Sequence, residues 1–119
     1  MIRAVVHATD VPYKTVHRIM YGHGWRVTDG RQKGHWSDHI IRTLNDLGYD
    51  VEKISFPPRG GKRRANGHTV CKKYPTGTFI INQLTHIACI RDGQLLDTYD
   101  CRDDLVYFIW RVRRVPIVK

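Results

Sequence analysis

An imidazole and a carboxylate at a fixed offset are the first groups in this chain whose pairing could move a proton. His86 opens the run HIACIR, and Asp97 lies in QLLDTYD, eleven residues on, with Asp92-Gly93 between them. Asp-Gly between two β-rich runs is a signal for a two-residue hairpin loop. A tight hairpin on that loop sets Arg91 opposite Gln94, Cys89 opposite Leu96, Ala88 opposite Asp97, Ile87 opposite Thr98 and His86 opposite Tyr99. Asp97 is then the diagonal neighbour of His86 on one face, about 7–8 Å away at the Cβ level before the side chains lean together. A carboxylate so placed orients an imidazole and favours its charged form, which is the base-and-orienter half of a nucleophilic site. The spacing also fits a strand-start histidine bonded to a surface aspartate with no catalytic role.

The reacting atom of such a site would be a thiolate, and three cysteines are available: Cys71, Cys89 and Cys101. Cys89 is three residues along the strand from His86, so it points to the opposite face and reads as a small buried apolar residue. Cys71 follows a basic stretch, and nothing in the sequence brings it to His86. Cys101 follows the Asp97 strand and reaches His86 only through an unusual turn. An odd count without a CxxC pattern predicts free, reduced thiols rather than a disulfide framework or a zinc site. The seven histidines are scattered. His35 and His39 are separated by four, but a helix start at Ser37 between them keeps them off a common face. No metal ligand set and no cofactor is expected.

The elements that must position His86 and Asp97 follow from periodicity. Ile2, Val5 and Val6 fit a short helix ending before Asp10. A second helix starts with Asp10 near its cap and Pro12 in its first turn, carries Tyr13, Val16, Ile19 and Met20 at helical spacing, and ends at Gly22 or Gly24. Residues 25–36 hold three glycines and read as a loop. Ser37 caps a third helix with Ile40, Ile41, Leu44 and Leu47 on one face and Gly48 as its stop. YDVEKISF then reads as a strand broken by Pro57-Pro58, and Thr69 to Tyr74 as one helical turn. Four β-rich runs close the chain: 77–84, 86–91, 94–100 and 105–115. Helices first and an antiparallel sheet after make an α+β architecture, and 119 residues make one domain, 1–119, with a basic glycine-rich loop at about 57–73. Trp110 on an apolar strand reads as core. Trp25 and Trp36 flank the glycine loop, where they either cap the core or stack on a partner.

The charge is uneven. Of a net +9, six come from residues 59–76, where Arg59, Lys62, Arg63, Arg64, Lys72 and Lys73 meet no acid. A second cluster, Arg111, Arg113, Arg114 and Lys119, lies at the C-terminus. Such a distribution attracts polyanions by neutralising phosphates and releasing counterions. It equally suits a solvated loop that keeps the chain soluble. No C₂H₂ finger and no RNP aromatic motif is present. No apolar run reaches the roughly 18 residues of a membrane helix, and the opening MIRAVVHATD is too short and interrupted for a signal peptide. The expected setting is the cytoplasm or an assembled particle, with no membrane partner.

The segment GTFIINQLTHIACIRDGQLLDTYD resembles the C-terminal half of papain-like cysteine peptidases of the bacteriocin-processing type, particularly small phage-encoded relatives. Those read as a Gly-Thr-Tyr strand, a His-opened strand, an Asp-Gly turn and then Asp-Thr-aromatic. IRAVVHATDVPYKTVHRIMYGHG resembles their opening helices, and DHIIRTLNDLGYDVEKI the helix and strand that follow. The resemblance covers most of the chain in order, apart from the basic loop. It implies a papain-like fold, a helical half packed on a small antiparallel sheet, with His86 as base and Asp97 as orienter. The family's nucleophilic cysteine stands a few residues before the Arg-Ala step, and its oxyanion-hole glutamine stands upstream of that. Here Arg3-Ala4 is preceded by Met1 and Ile2. The expectation is therefore a papain-like protein without the nucleophile, more a binding or structural module than an enzyme. Its partner would be nucleic acid, an acidic protein surface, a host protein or a virion component. The alternative is an active cysteine peptidase or amidase whose nucleophile lies upstream or is another cysteine of the chain.

Overall fold

The computed structural model describes residues 2–24, 36–54, 65–83, 86–97 and 100–115. Among these, four helices and five strands follow in the order α1 (Ile2–Thr9), α2 (Tyr13–Gly22), α3 (Trp36–Asp46), β1 (Tyr49–Ile54), α4 (Gly67–Lys73), β2 (Thr78–Asn82), β3 (Ile87–Arg91), β4 (Gln94–Leu96) and β5 (Phe108–Arg114). The strands form one antiparallel sheet in the order β1-β5-β2-β3-β4. The α+β class expected from the sequence is present, in a compact chain. No described helix is long and apolar enough to cross a membrane.

Both faces of the sheet are covered, which is why its central strands are apolar at nearly every position. Side chains alternate between faces along a strand. Ile80, Cys89, Trp110 and Val112 pack under Ile2, Ala4, Val5 and Ala8 of α1, Val16 and Met20 of α2, and Ile40 and Leu44 of α3. On the other face Phe79, Ile81, Ala88, Ile90 and Ile109 pack against Val70 of α4 and against Cys101 and Val106. Cys89 is fully buried on the helical face, and Trp110 is core, as their places in the sequence predict.

Several boundaries differ from the sequence reading for local reasons. Asp10 does not cap α2. It terminates α1 in the left-handed region (φ 61°), its amide reaching back to the Val6 carbonyl, and its carboxylate accepts from Arg91. Pro12 takes the N-cap position of α2, with no side-chain cap. α3 begins at Trp36, one residue before Ser37. α4 is longer than one turn, because the Asn66 side chain caps it by accepting from the Thr69 amide. β2 is confined to Thr78–Asn82, β4 stops at Leu96 instead of running on to residue 100, and β5 starts at Phe108, since Leu105 instead bridges to Asn66. The glycine loop 25–35 with Trp25 and His35, the basic residues Arg59, Lys62, Arg63 and Arg64, the hairpin positions Thr98 and Tyr99, and Lys119 lie outside the described residues.

Candidate functional site

The β3–β4 hairpin has the register that its sequence predicts, with Arg91 opposite Gln94 and Cys89 opposite Leu96. Asp92 (φ 52°) and Gly93 (φ 77°) both adopt the positive φ that the two-residue loop requires, and only glycine does so without cost. The loop is fixed to the start of β2: the Asp92 amide donates to the Gly77 carbonyl, and the Gly77 amide donates to the Asp92 carboxylate. With the register set, Asp97 and His86 sit diagonally on one face, and His86 Nε2 is joined to Asp97 Oδ2. The carboxylate side chain is 5% exposed and the imidazole 25%.

The structure adds a third member. Cys101, 1% exposed, directs its Sγ at Asp97 Oδ2, 3.8 Å away. Imidazole, carboxylate and thiol each present one ligand atom within 4.8 Å of the others. The turn that the sequence made unusual is built by contacts outside the hairpin. Both the amide and the guanidinium of Arg102 donate to the Asp100 carboxylate (3.1, 2.8 and 2.7 Å), which tightens the corner. These bonds hold the Asp100 carboxyl well below its usual range. The Gln83 amide then clamps both ends. Its backbone N–H donates to the His86 carbonyl at 2.7 Å, and its side-chain Nε2 donates to the carbonyls of Cys101 (2.7 Å) and Asp104 (3.1 Å). Gln83 carries no motif, so sequence gives no sign of this role. Its Oε1 is buried without a hydrogen-bond partner.

Chemically the cluster stores its proton on sulfur. Burial, followed by the negative charges of Asp97 and Asp104, pushes the Cys101 thiol up to about 12. The thiol addresses the carboxylate that holds the imidazole, so at neutral pH it is an S–H donor and not an attacking thiolate. Cys71 is also raised, by burial, although the Arg102 charge opposes this. Cys89, on the opposite face, is pushed up to about 12 by burial.

A cleft of about 750 Å³ opens beside the cluster, with Asp97, Asp100, Arg102, His68, Cys71 and Lys72 among its lining residues. No protein-family model, curated protein or solved structure matches the chain. The site's meaning therefore rests on its own geometry.

α1 covers the other face of the sheet, against Ile80, Cys89 and Trp110. Arg91, at the end of β3, donates to the His7 carbonyl (3.3 Å) and the Asp10 carboxylate (2.9 Å), which fixes the C-terminal end of α1 there. The helix packs along β3.

The described basic residues do not form one patch. Lys73, Arg111 and Arg113 converge on a groove of about 360 Å³ with Tyr74 and Phe79. The Arg111 guanidinium lies 5.6 Å from the Phe79 ring centroid and the Lys73 ammonium 5.8 Å from that of Tyr74. Glu52 and Asp50 stand opposite Arg111 and Arg113 across the β1–β5 pair, and Arg111 reaches Glu52 at 3.5 Å. Lys72 faces the cleft beside Asp97, while Arg114 falls on the opposite face of β5 from Arg111 and Arg113.

Proposed function

We propose that this chain is a binding module on a papain-like scaffold of the small phage-encoded type, holding an anionic partner through its basic surface. Nucleic acid is the partner class that the chemistry fits best. The carrying observation is the groove where Lys73, Arg111 and Arg113 converge, which offers charge for phosphates, with the half-buried Tyr74 ring at its side. Arg59, Lys62, Arg63 and Arg64 would extend the same electrostatic attraction. The working setting is the host cell interior or a virion, where such a partner or an acidic protein surface is met. His86 and Asp97 remain as a base and its orienter, with the one thiol beside them held protonated.

The test is binding of a labelled oligonucleotide across a salt series. We expect affinity to fall steeply with salt, and the log–log slope to drop by about one for each of Arg111→Ala and Arg113→Ala, with a comparable loss for Arg63→Ala/Arg64→Ala. Salt-independent binding, or none at low salt, retires the proposal.

A second reading, an active cysteine peptidase or amidase, draws on the family resemblance, which puts the nucleophile at the N-terminal end of α1, where the helix dipole would stabilise a thiolate. An in-frame cysteine in the codons before Met1, or one thiol that reacts far faster than the others and loses that rate in His86→Ala, would favour it over the binding module.

A further inference from the structure

We propose that His86, Asp97 and Cys101 form a binding site for one zinc-like divalent transition-metal ion, reached through the cleft that Asp97 lines. The donor set is one imidazole nitrogen, one carboxylate oxygen and one sulfur, all within 4.8 Å. Such a mixture suits zinc or cobalt and disfavours magnesium and calcium, which want all-oxygen shells. Ligand bonds of about 2.0–2.3 Å at tetrahedral angles set donor atoms roughly 3.3–3.7 Å apart. The Cys101–Asp97 edge, at 3.8 Å, is already near that spacing. The ion enters between imidazole and carboxylate in place of the hydrogen bond that joins them. Three protein ligands leave the fourth tetrahedral position to a water or another small ligand, which is the pattern of a reactive or exchangeable site rather than a closed structural one.

Two further features favour a cation here. The Asp97 carboxylate lies 3.8 Å from the Cys101 sulfur, so a dication placed between them meets a negative charge at once. Gln83 fixes the backbone at both His86 and Cys101 and is itself 4% exposed, as a supporting residue must be to hold ligands in register. Its Oε1 is buried with no hydrogen-bond partner among the described residues. Local spacing conceals the site because the ligands come from three separate chain corners: before β3, after β4 and past the Asp100 turn.

The exchange balances without redox chemistry. Metal–nitrogen, metal–oxygen and metal–sulfur bonds form, and the Cys101 S–H bond breaks. Its proton leaves to solvent, and the Nε2 proton that bonds Asp97 is given up as Nδ1 takes one from solvent, so that Nε2 is free to bind the ion and one proton is released in all. The site shares no residue with the Lys73–Arg111–Arg113 groove, so its test is separate from that of the binding module.

The experiment titrates the full, reduced chain with Co²⁺ and reads its absorbance. One ion per chain is expected, with a thiolate-to-cobalt charge-transfer band and visible bands of tetrahedral intensity. Cys101→Ser should abolish the charge-transfer band, while Cys71→Ser and Cys89→Ser keep it. In Zn²⁺ competition against a chromophoric chelator, His86→Gln and Asp97→Asn should each bind at least tenfold more weakly. Gln83→Met should lose about 10- to 100-fold, with the fold checked by circular dichroism. No charge-transfer band at stoichiometric cobalt, a band that survives Cys101→Ser, or unchanged zinc affinity in folded His86→Gln overturns the proposal.

Discussion

Gly67→Ala sets two effects of opposite sign against each other at the contact that places Cys101. Gly67 is the first residue of α4, and a Cβ there would lie 2.9 Å from Arg102 Cα, 3.1 Å from its carbonyl oxygen and 3.4 Å from its carbonyl carbon. Carbon atoms pack at about 3.5–4.0 Å, so the two backbones must part by roughly half an ångström or more. The Arg102 segment cannot yield cheaply. Its carbonyl accepts from the His68 amide at 3.1 Å, its own amide is held by Asp100, and the adjoining Cys101 carbonyl is held by Gln83. Overpacking of this kind costs about 1–3 kcal/mol. Against it, alanine restricts the unfolded chain by about 0.4–1 kcal/mol relative to glycine. Its helical preference is worth at most about 1 kcal/mol, and less at a first helical position. The clash wins, by about 1–2 kcal/mol, or roughly 4–8 °C in Tm for a domain of this size. Thermal unfolding followed by circular dichroism reads the shift. Native-state alkylation reads the displacement, since Cys101 should label faster as the segment lifts. An unchanged or raised Tm, with Cys101 still protected, would show that the two backbones have slack and that this reasoning fails.

Two further outcomes follow from the same packing. Asn66→Ala removes the acceptor of the Thr69 amide (3.1 Å) and hydroxyl (3.2 Å) and should lower stability by about 1 kcal/mol, with Asn66→Asp retaining most of it; equal urea midpoints for all three would count against the cap. Stability should also fall as pH rises. Cys89 ionises near 9.0 when unfolded and near 12 when folded, so the unfolded chain binds fewer protons in that window, and the stabilisation present below pH 9 drains at up to ~1.4 kcal/mol per pH unit. Urea unfolding of the wild type and Cys89→Ala between pH 8 and 11 checks this: the variant should show the shallower decline, and parallel curves would contradict it.

The pairing of His86 with Asp97 was legible because a period of two and an Asp-Gly loop fix register by local rules. A one-residue slip would have moved every side chain of the hairpin to the wrong face. The burial of Cys89 followed from the same parity. Cys101 was not legible. Its approach depends on the Asp100–Arg102 corner and on α4 docking against that segment through Gly67 and the Asn66–Leu105 bridge, residues distant in sequence. Asn66 with Thr69 three residues later was a readable cap, masked by the glycine-rich, basic composition around it. Gln83 offered no signal at all. The strand order was equally hidden, since periodicity reports that a strand has two covered faces and not which neighbours lie beside it.

That order bears on how the chain comes into being. β1 is complete by Ile54, yet among the described residues it pairs with β5 alone, and β5 also separates it from β2. During vectorial synthesis the first strand must wait through more than fifty residues with its hydrogen-bonding groups unanswered, until the last strand slots in between. A ribosome-arrested intermediate ending before Phe108 would hold the β2–β3–β4 meander and a stranded β1. Closure of the whole sheet is thus postponed until β5 has been made, and termination before it would leave the facing edges of β1 and β2 open as well as the outer edges of the sheet.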